Sequence, residues 1–165
     1  MPDTERADLL EALAAHRGFL LHTVEGLTDE QARQRTTVSE LTLGGLVKHV
    51  AMTEQAWVNF ILEGPATMAM TPESFAAHAD GFVLRDDETL AGAIARYDEV
   101  ARRTDELVRT IDLDVSQPLP EAPWFPPGAT RSARRVFVHI VAETAQHAGH
   151  ADIVREALDG QKTMG

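Results

Sequence analysis

"VHIVAETAQHAGHADIVREAL", residues 138–158, has the spacing of one long helix, yet it carries His139, Glu143, His147 and His150. On a wheel of about 100° per residue, Val136 and Val154 coincide, and Ile140, Ala151 and Leu158 fall within about 60° of them. Glu143 lies about 20° to one side of that stripe and His147 about 20° to the other. Both therefore project toward the face that should enter a core. A buried carboxylate without a partner is costly even after the protein relaxes around it, so the pair demands an explanation.

Two explanations suit a Glu and a His four residues apart, which project side by side from successive turns. They can form an internal ion pair. Alternatively, a divalent metal can keep the carboxylate ionised and accept a lone pair from neutral imidazole. A metal needs at least a third protein ligand, and His49 is the leading candidate, at the edge of the apolar face of an earlier helix about 20° from Phe60. His150, about 20° from Glu143, is within reach of the same cavity, and His139 flanks the site one turn away. His16, His22 and His78 read as structural or exposed.

Three further long helices precede this one. Residues 4–26 place Leu10, Leu13, Arg17, Leu20, Leu21 and Val24 at helical spacing and stop at Gly26. "TDEQ", residues 28–31, has the form of a capping box and predicts a short helix. A second long helix runs over about 41–62, with Leu43, Leu46, Val50, Trp57 and Ile61 inward, and ends at Gly64–Pro65. Residues 65–86 form a connector with a short helix over "PESFAAHA". From Asp87 to about Ile111, apolar positions alternate steps of four and three, as in a bundle helix. A proline-rich crossing, "DVSQPLPEAPWFPPGAT", leads to the last helix, capped by Thr130 or Ser132 and closed before Gly160. No segment shows the period-two alternation of a strand. The expectation is an all-α protein: one domain over residues 1–165, an antiparallel four-helix bundle with short extra helices in its connections.

The 165 residues suit one domain, and the apolar fraction of 44% is that of a soluble globular protein. No run is long and apolar enough to span a bilayer, and "MPDTERADLL" lacks the features of a secretory signal, so a cytoplasmic protein is expected. The chain has no cysteine, which removes disulfides, thiolate metal sites and a cysteine nucleophile. A formal net charge of −11 argues against nucleic acid. The basic clusters, Arg102–Arg103 and Arg131/Arg134/Arg135, read as solvated helix faces.

"LTLGGLVKHVAMTEQAW" followed by "VHIVAETAQHAGHADIVREALDG" resembles the DinB-like superfamily of metal-binding four-helix bundles, over essentially the whole chain. The resemblance implies metal ligands at His49, Glu143 and His147. Many members have His where Glu143 stands; the carboxylate form is similar to that of mycothiol-dependent maleylpyruvate isomerase. It also implies zinc or nickel and chemistry on low-molecular-weight thiols such as mycothiol or bacillithiol, and makes a homodimer plausible. The expected function is thus a divalent-metal-dependent S-transferase joining a small thiol to an electrophile. In that reading His150 relays a proton or orients the electrophile, and Trp57 and Trp124 line the mouth. Trp57 also has a plain core reading, and Trp124 one as a pin for the crossing loop. The competing expectations are a metal- or small-ligand-binding bundle without catalysis, and a metal-dependent hydrolase.

Overall fold

Side-chain caps set most helix starts in this chain. The computed structural model describes residues 4–69 and 71–163; residues 1–3, part of the stretch read as lacking a secretory signal, lie outside them. The helices are α1 (Thr4–His22), α2 (Asp29–Arg33), α3 (Leu43–Glu63), α4 (Pro72–Gly81), α5 (Leu90–Thr110) and α6 (Ala133–Asp159). A 3-10 turn covers Pro65–Met68. Thr28 and Gln31 close the expected capping box at α2. Thr42, Thr89 and Ser132 each accept an amide hydrogen from the third residue of α3, α5 and α6. Gly160, in the left-handed region at φ 83°, ends α6. Helix α1 stops at His22 rather than Gly26, because Thr23 and Val24 donate to the carbonyls three residues back and tighten the last turn.

Among the described residues the protein is helical apart from a small ribbon that the sequence pattern did not foretell. β1 (Ser116–Pro118) and β2 (Thr130–Ser132) pair antiparallel at the two ends of the proline-rich crossing. Three residues are too few to display alternation, and it is the meeting of the loop's ends that creates the pairing. Among the described residues no helix is long and apolar enough to cross a membrane.

Helix α1 packs on α5 and α6, and α3 packs on α5 and α6. Buried residues gather in two apolar clusters. One joins Leu20 and Val24 to Leu46, Val47, Val50, Tyr97, Ala151 and Val154. The other joins Leu13 to Trp57, Phe60, Ile61, Val108, Val136, Phe137 and Ile140. The starts of α3 and α5 thus share one end, with the finishes of α1 and α6, so α3 and α5 run the same way. Helices α1 and α6 likewise run together, so the wholly antiparallel arrangement expected of the bundle does not hold: each of the two pairs is parallel within itself. Residues 64–89 return the chain to the end where α3 began, a length that permits either direction.

A polar layer separates the two clusters. Arg17, Glu54, Thr104, Thr144 and His147 are all buried at this level. Arg17 donates to both carboxylate oxygens of Glu54, at 2.5 and 3.3 Å, and to Asp105 at 2.7 Å. Burial opposes the Arg17 charge, but the two carboxylates outweigh it and hold its pKa above the ordinary value. Burial, reinforced by the charge of Glu54, pushes the Tyr97 hydroxyl's pKa up.

Candidate metal centre

His49 comes from the second turn of α3, and Glu143 and His147 from successive turns of α6. One ligand atom from each lies within 4.8 Å of the other two. His147 Nε2 is 3.8 Å from Glu143 Oε2, and the rings of His49 and His147 meet edge to face with centroids 4.8 Å apart. His49 and His147 are buried, whereas the Glu143 side chain is 30% exposed, so the triad opens on one side. The carboxylate is less enclosed than its place on the wheel suggested, because it lies on the flank of the stripe.

The surroundings hold the imidazoles neutral. Burial, then the neighbouring rings of His147 and His78, lower the His49 pKa to about 3. Burial and then His150 lower that of His147. Both rings consequently keep a lone pair at neutral pH, the form in which imidazole binds a metal. Two neutral imidazoles and one carboxylate, closely spaced and without cysteine, make a donor set suited to a divalent transition ion.

The neighbours fix ring orientation. Phe82 stacks on His49 with centroids 3.7 Å apart and planes within 17°. It can do so because Gly45 lets the backbone come close: a Cβ there would sit 2.0 Å from the Phe82 carbonyl oxygen. Thr53 Oγ1 lies 3.4 Å from His49 Nε2. His150 Nδ1 is 3.3 Å from His147 Nδ1, so one of the two carries the shared proton. His139 Nε2 stands 3.5 Å from Glu143 Oε1. Burial lowers the His139 pKa; Glu143 opposes this, while Arg131 and Arg135 add to it.

A cavity of about 550 Å³ opens at His49. Trp57 and Trp124 both line it, Trp57 buried and Trp124 63% exposed at the rim. Trp57 also packs against Phe60 and His139, so its core contacts and its place in the wall coexist. His16 lies edge-on to Phe19, and His22 pairs with Glu25 at 3.2 Å. His78 is exposed but does more than face solvent: it lines the cavity, edge-on to His49 at 5.3 Å. Arg131 departs from the solvated face expected of it. It is half-buried, with its guanidinium over the rings of Trp57 and Phe125 at 4.8 and 5.4 Å.

Phe82 escaped the sequence reading, and His78 was read only as structural or exposed, without its place at the cavity. The adjacent glycines at 44 and 45, in a helix otherwise built for packing, are the signal that another backbone segment lies close. Glu54 escaped it too, though it stands four residues after Val50 and three before Trp57, on the apolar stripe of α3.

Helices and a two-histidine, one-carboxylate cluster define a DinB-like protein. The chain belongs to the mycothiol S-transferase family, whose sequence model matches residues 8–160. No curated protein matches the chain.

Proposed function

We propose that this protein is a divalent-metal-dependent transferase that joins a low-molecular-weight thiol, mycothiol in the family's own terms, to an electrophilic small molecule. The observation that carries the reading is the convergence of His49, Glu143 and His147 within 4.8 Å, beside a cavity large enough for a drug-sized ligand. Family membership supports the thiol-transfer class. The fold proposed with it is a single domain in which the four long helices form a DinB-like bundle. Its support is the closed ring of packing, α1 on α6, α6 on α3, α3 on α5 and α5 on α1. A cytoplasmic location and a homodimer belong to the same proposal, the homodimer resting on the family resemblance.

His49, Glu143 and His147 would hold zinc or nickel, whose charge favours the thiolate form of an incoming thiol near neutral pH. The chain's own groups then have distinct tasks. With the shared proton on His147 Nδ1, that N–H donates to His150 Nδ1, and the lone pair of His147 Nε2 faces Glu143. This gives His150 an orienting role through His147, along with the proton relay expected of it. His139 beside Oε1 steadies the Glu143 carboxylate. Phe82 fixes the plane of His49. Trp57 and Trp124 bound the space in which the electrophile meets the sulfur. A hydrolase has less support: Glu54, the buried carboxylate next to Thr53 in the chain, is committed to Arg17 and is not available to activate water.

Metal analysis of purified wild type and His49→Ala, followed by thiol-consumption assays with an electrophile, tests this reading. Stoichiometric divalent metal in wild type, its loss in His49→Ala and metal-dependent thiol consumption are expected. Metal retained in full by His49→Ala refutes the triad. Stoichiometric metal without thiol turnover refutes the transferase and leaves a binding protein.

A further inference from the structure

The cavity at His49 has an unusual wall. Met52, Trp57, Met68, Phe75, Trp124 and Phe125 are its large apolar members, and its polar side chains are the hydroxyls of Thr53, Thr67 and Ser74, the imidazoles of His49 and His78 and the tryptophan N–H groups. No Lys, Arg, Asp or Glu lines it among the described residues. The neighbouring cavity, of about 610 Å³, shares Met52, Ala56 and Thr67 with it but carries Lys48, Asp87, Glu88 and Arg96. Charged side chains are therefore plentiful in that neighbouring cavity and missing from the wall in which His49 takes part.

We infer that the electrophile accepted at this site is an uncharged, flat, apolar molecule of the aryl or arylmethyl class. This deepens the thiol-transfer reading and rests on it. Four aromatic rings, Trp57, Phe75, Trp124 and Phe125, offer faces and edges to a planar guest. Met52 and Met68 have flexible, polarisable side chains that adapt to its outline. Phe75 and Trp124 are 57% and 63% exposed, so a guest that covers them removes apolar surface from water.

A carboxylated guest fares differently. With the thiol on the open metal position, it would give up its hydration to a wall with no Lys or Arg to replace it. Arg131 does not line the cavity; its guanidinium lies over Trp57 and Phe125, two rings of the wall, and Nη1 is shut off from solvent without a hydrogen-bond partner. An anion reaches that nitrogen only if its surroundings move aside.

Two matched electrophiles test the inference: methyl para-(bromomethyl)benzoate, which is neutral, and para-(bromomethyl)benzoate, which is anionic at neutral pH. With mycothiol, each reaction forms a carbon–sulfur bond as the carbon–bromine bond breaks. Bromide leaves with the bonding pair and the thiol proton passes to solvent. After subtraction of the uncatalysed rate, kcat/KM for the ester should exceed that for the acid by at least about tenfold. The double variant Phe75→Ser/Trp124→Ser should keep its metal while KM for the ester rises about fivefold or more. A second readout needs no turnover: methyl para-toluate should quench tryptophan fluorescence of the metal-loaded protein, with para-toluate at least about tenfold weaker. Equal or better use of the acid, or an unchanged KM in the double variant, overturns the inference and leaves thiol transfer standing. Ester-selective binding without turnover of either bromide overturns thiol transfer instead.

Discussion

Replacing Arg17 by Met tests whether the polar layer is held together as described. Arg17 is 7% exposed and Glu54 only 1%, and Arg17 contacts both oxygens of that carboxylate. Removing the guanidinium leaves a buried carboxylate with neither cation nor water. Breaking a buried pair on one side costs about 3–5 kcal/mol. With a urea slope of about 2 kcal/mol/M for a chain of this size, the unfolding midpoint should fall by about 2 M. The double variant Arg17→Met/Glu54→Leu removes both charges and fills their space with apolar atoms. It should lie within about 2 kcal/mol of wild type. Asp105, with its side chain 28% exposed, can turn to solvent. The assay is urea denaturation at neutral pH, followed by fluorescence, on all three proteins and on Glu54→Leu to close the cycle. A double variant as unstable as Arg17→Met, or an Arg17→Met protein within about 1 kcal/mol of wild type, would refute the buried-pair account.

Other expectations can be checked on the same material. Gly45→Ala would set a Cβ 2.0 Å from the Phe82 carbonyl oxygen, a backbone atom, so the segment after α4 must move. The cost should be about 2 kcal/mol or more in denaturation, with weaker metal binding in a chelator competition as the Phe82 stack on His49 is lost. In the metal-free protein the His49 pKa of about 3 lies below its ordinary 6.5. Between those values the unfolded chain binds a proton that the folded chain excludes, so stability falls as pH drops. From pH 7 to 5 His49 should account for a loss of about 2 kcal/mol, absent in His49→Gln, as read from urea titrations at the two pH values. His139 and His147, whose pKa values are lowered too, should steepen the fall. Metal at a hundred times its dissociation constant should stabilise wild type by about 2.7 kcal/mol, and the same concentration should do far less for Glu143→Gln, as measured by thermal unfolding.

What could be read from the sequence was local in origin. The register of α6, its Ser132 and Gly160 caps and the spacing of Glu143 and His147 are all set within one helix, and periodicity reports them directly. His49 could be placed beside them because the apolar stripe of its own helix says which face turns inward. The features that escaped depend on contacts between distant segments. Arg17 was visible as a charge on the stripe of α1, but its partners Glu54 and Asp105 lie 37 and 88 residues away. The common direction of α3 and α5 follows from where the intervening loop ends, which its length does not dictate. Phe82 and His78 come to the site only because α4 and the turn after it fold over the start of α3, where Gly44 and Gly45 leave room. The β1–β2 ribbon arises in the same way, from the return of a proline-rich excursion.

Crystals of the metal-loaded protein, measured with X-rays just above and just below the absorption edge of the bound element, address the metal directly. One anomalous peak should appear about 2.0–2.2 Å from a nitrogen of His49, a nitrogen of His147 and an oxygen of Glu143. A peak elsewhere, or one touching only the α6 pair while His49 stays apart, would contradict the account.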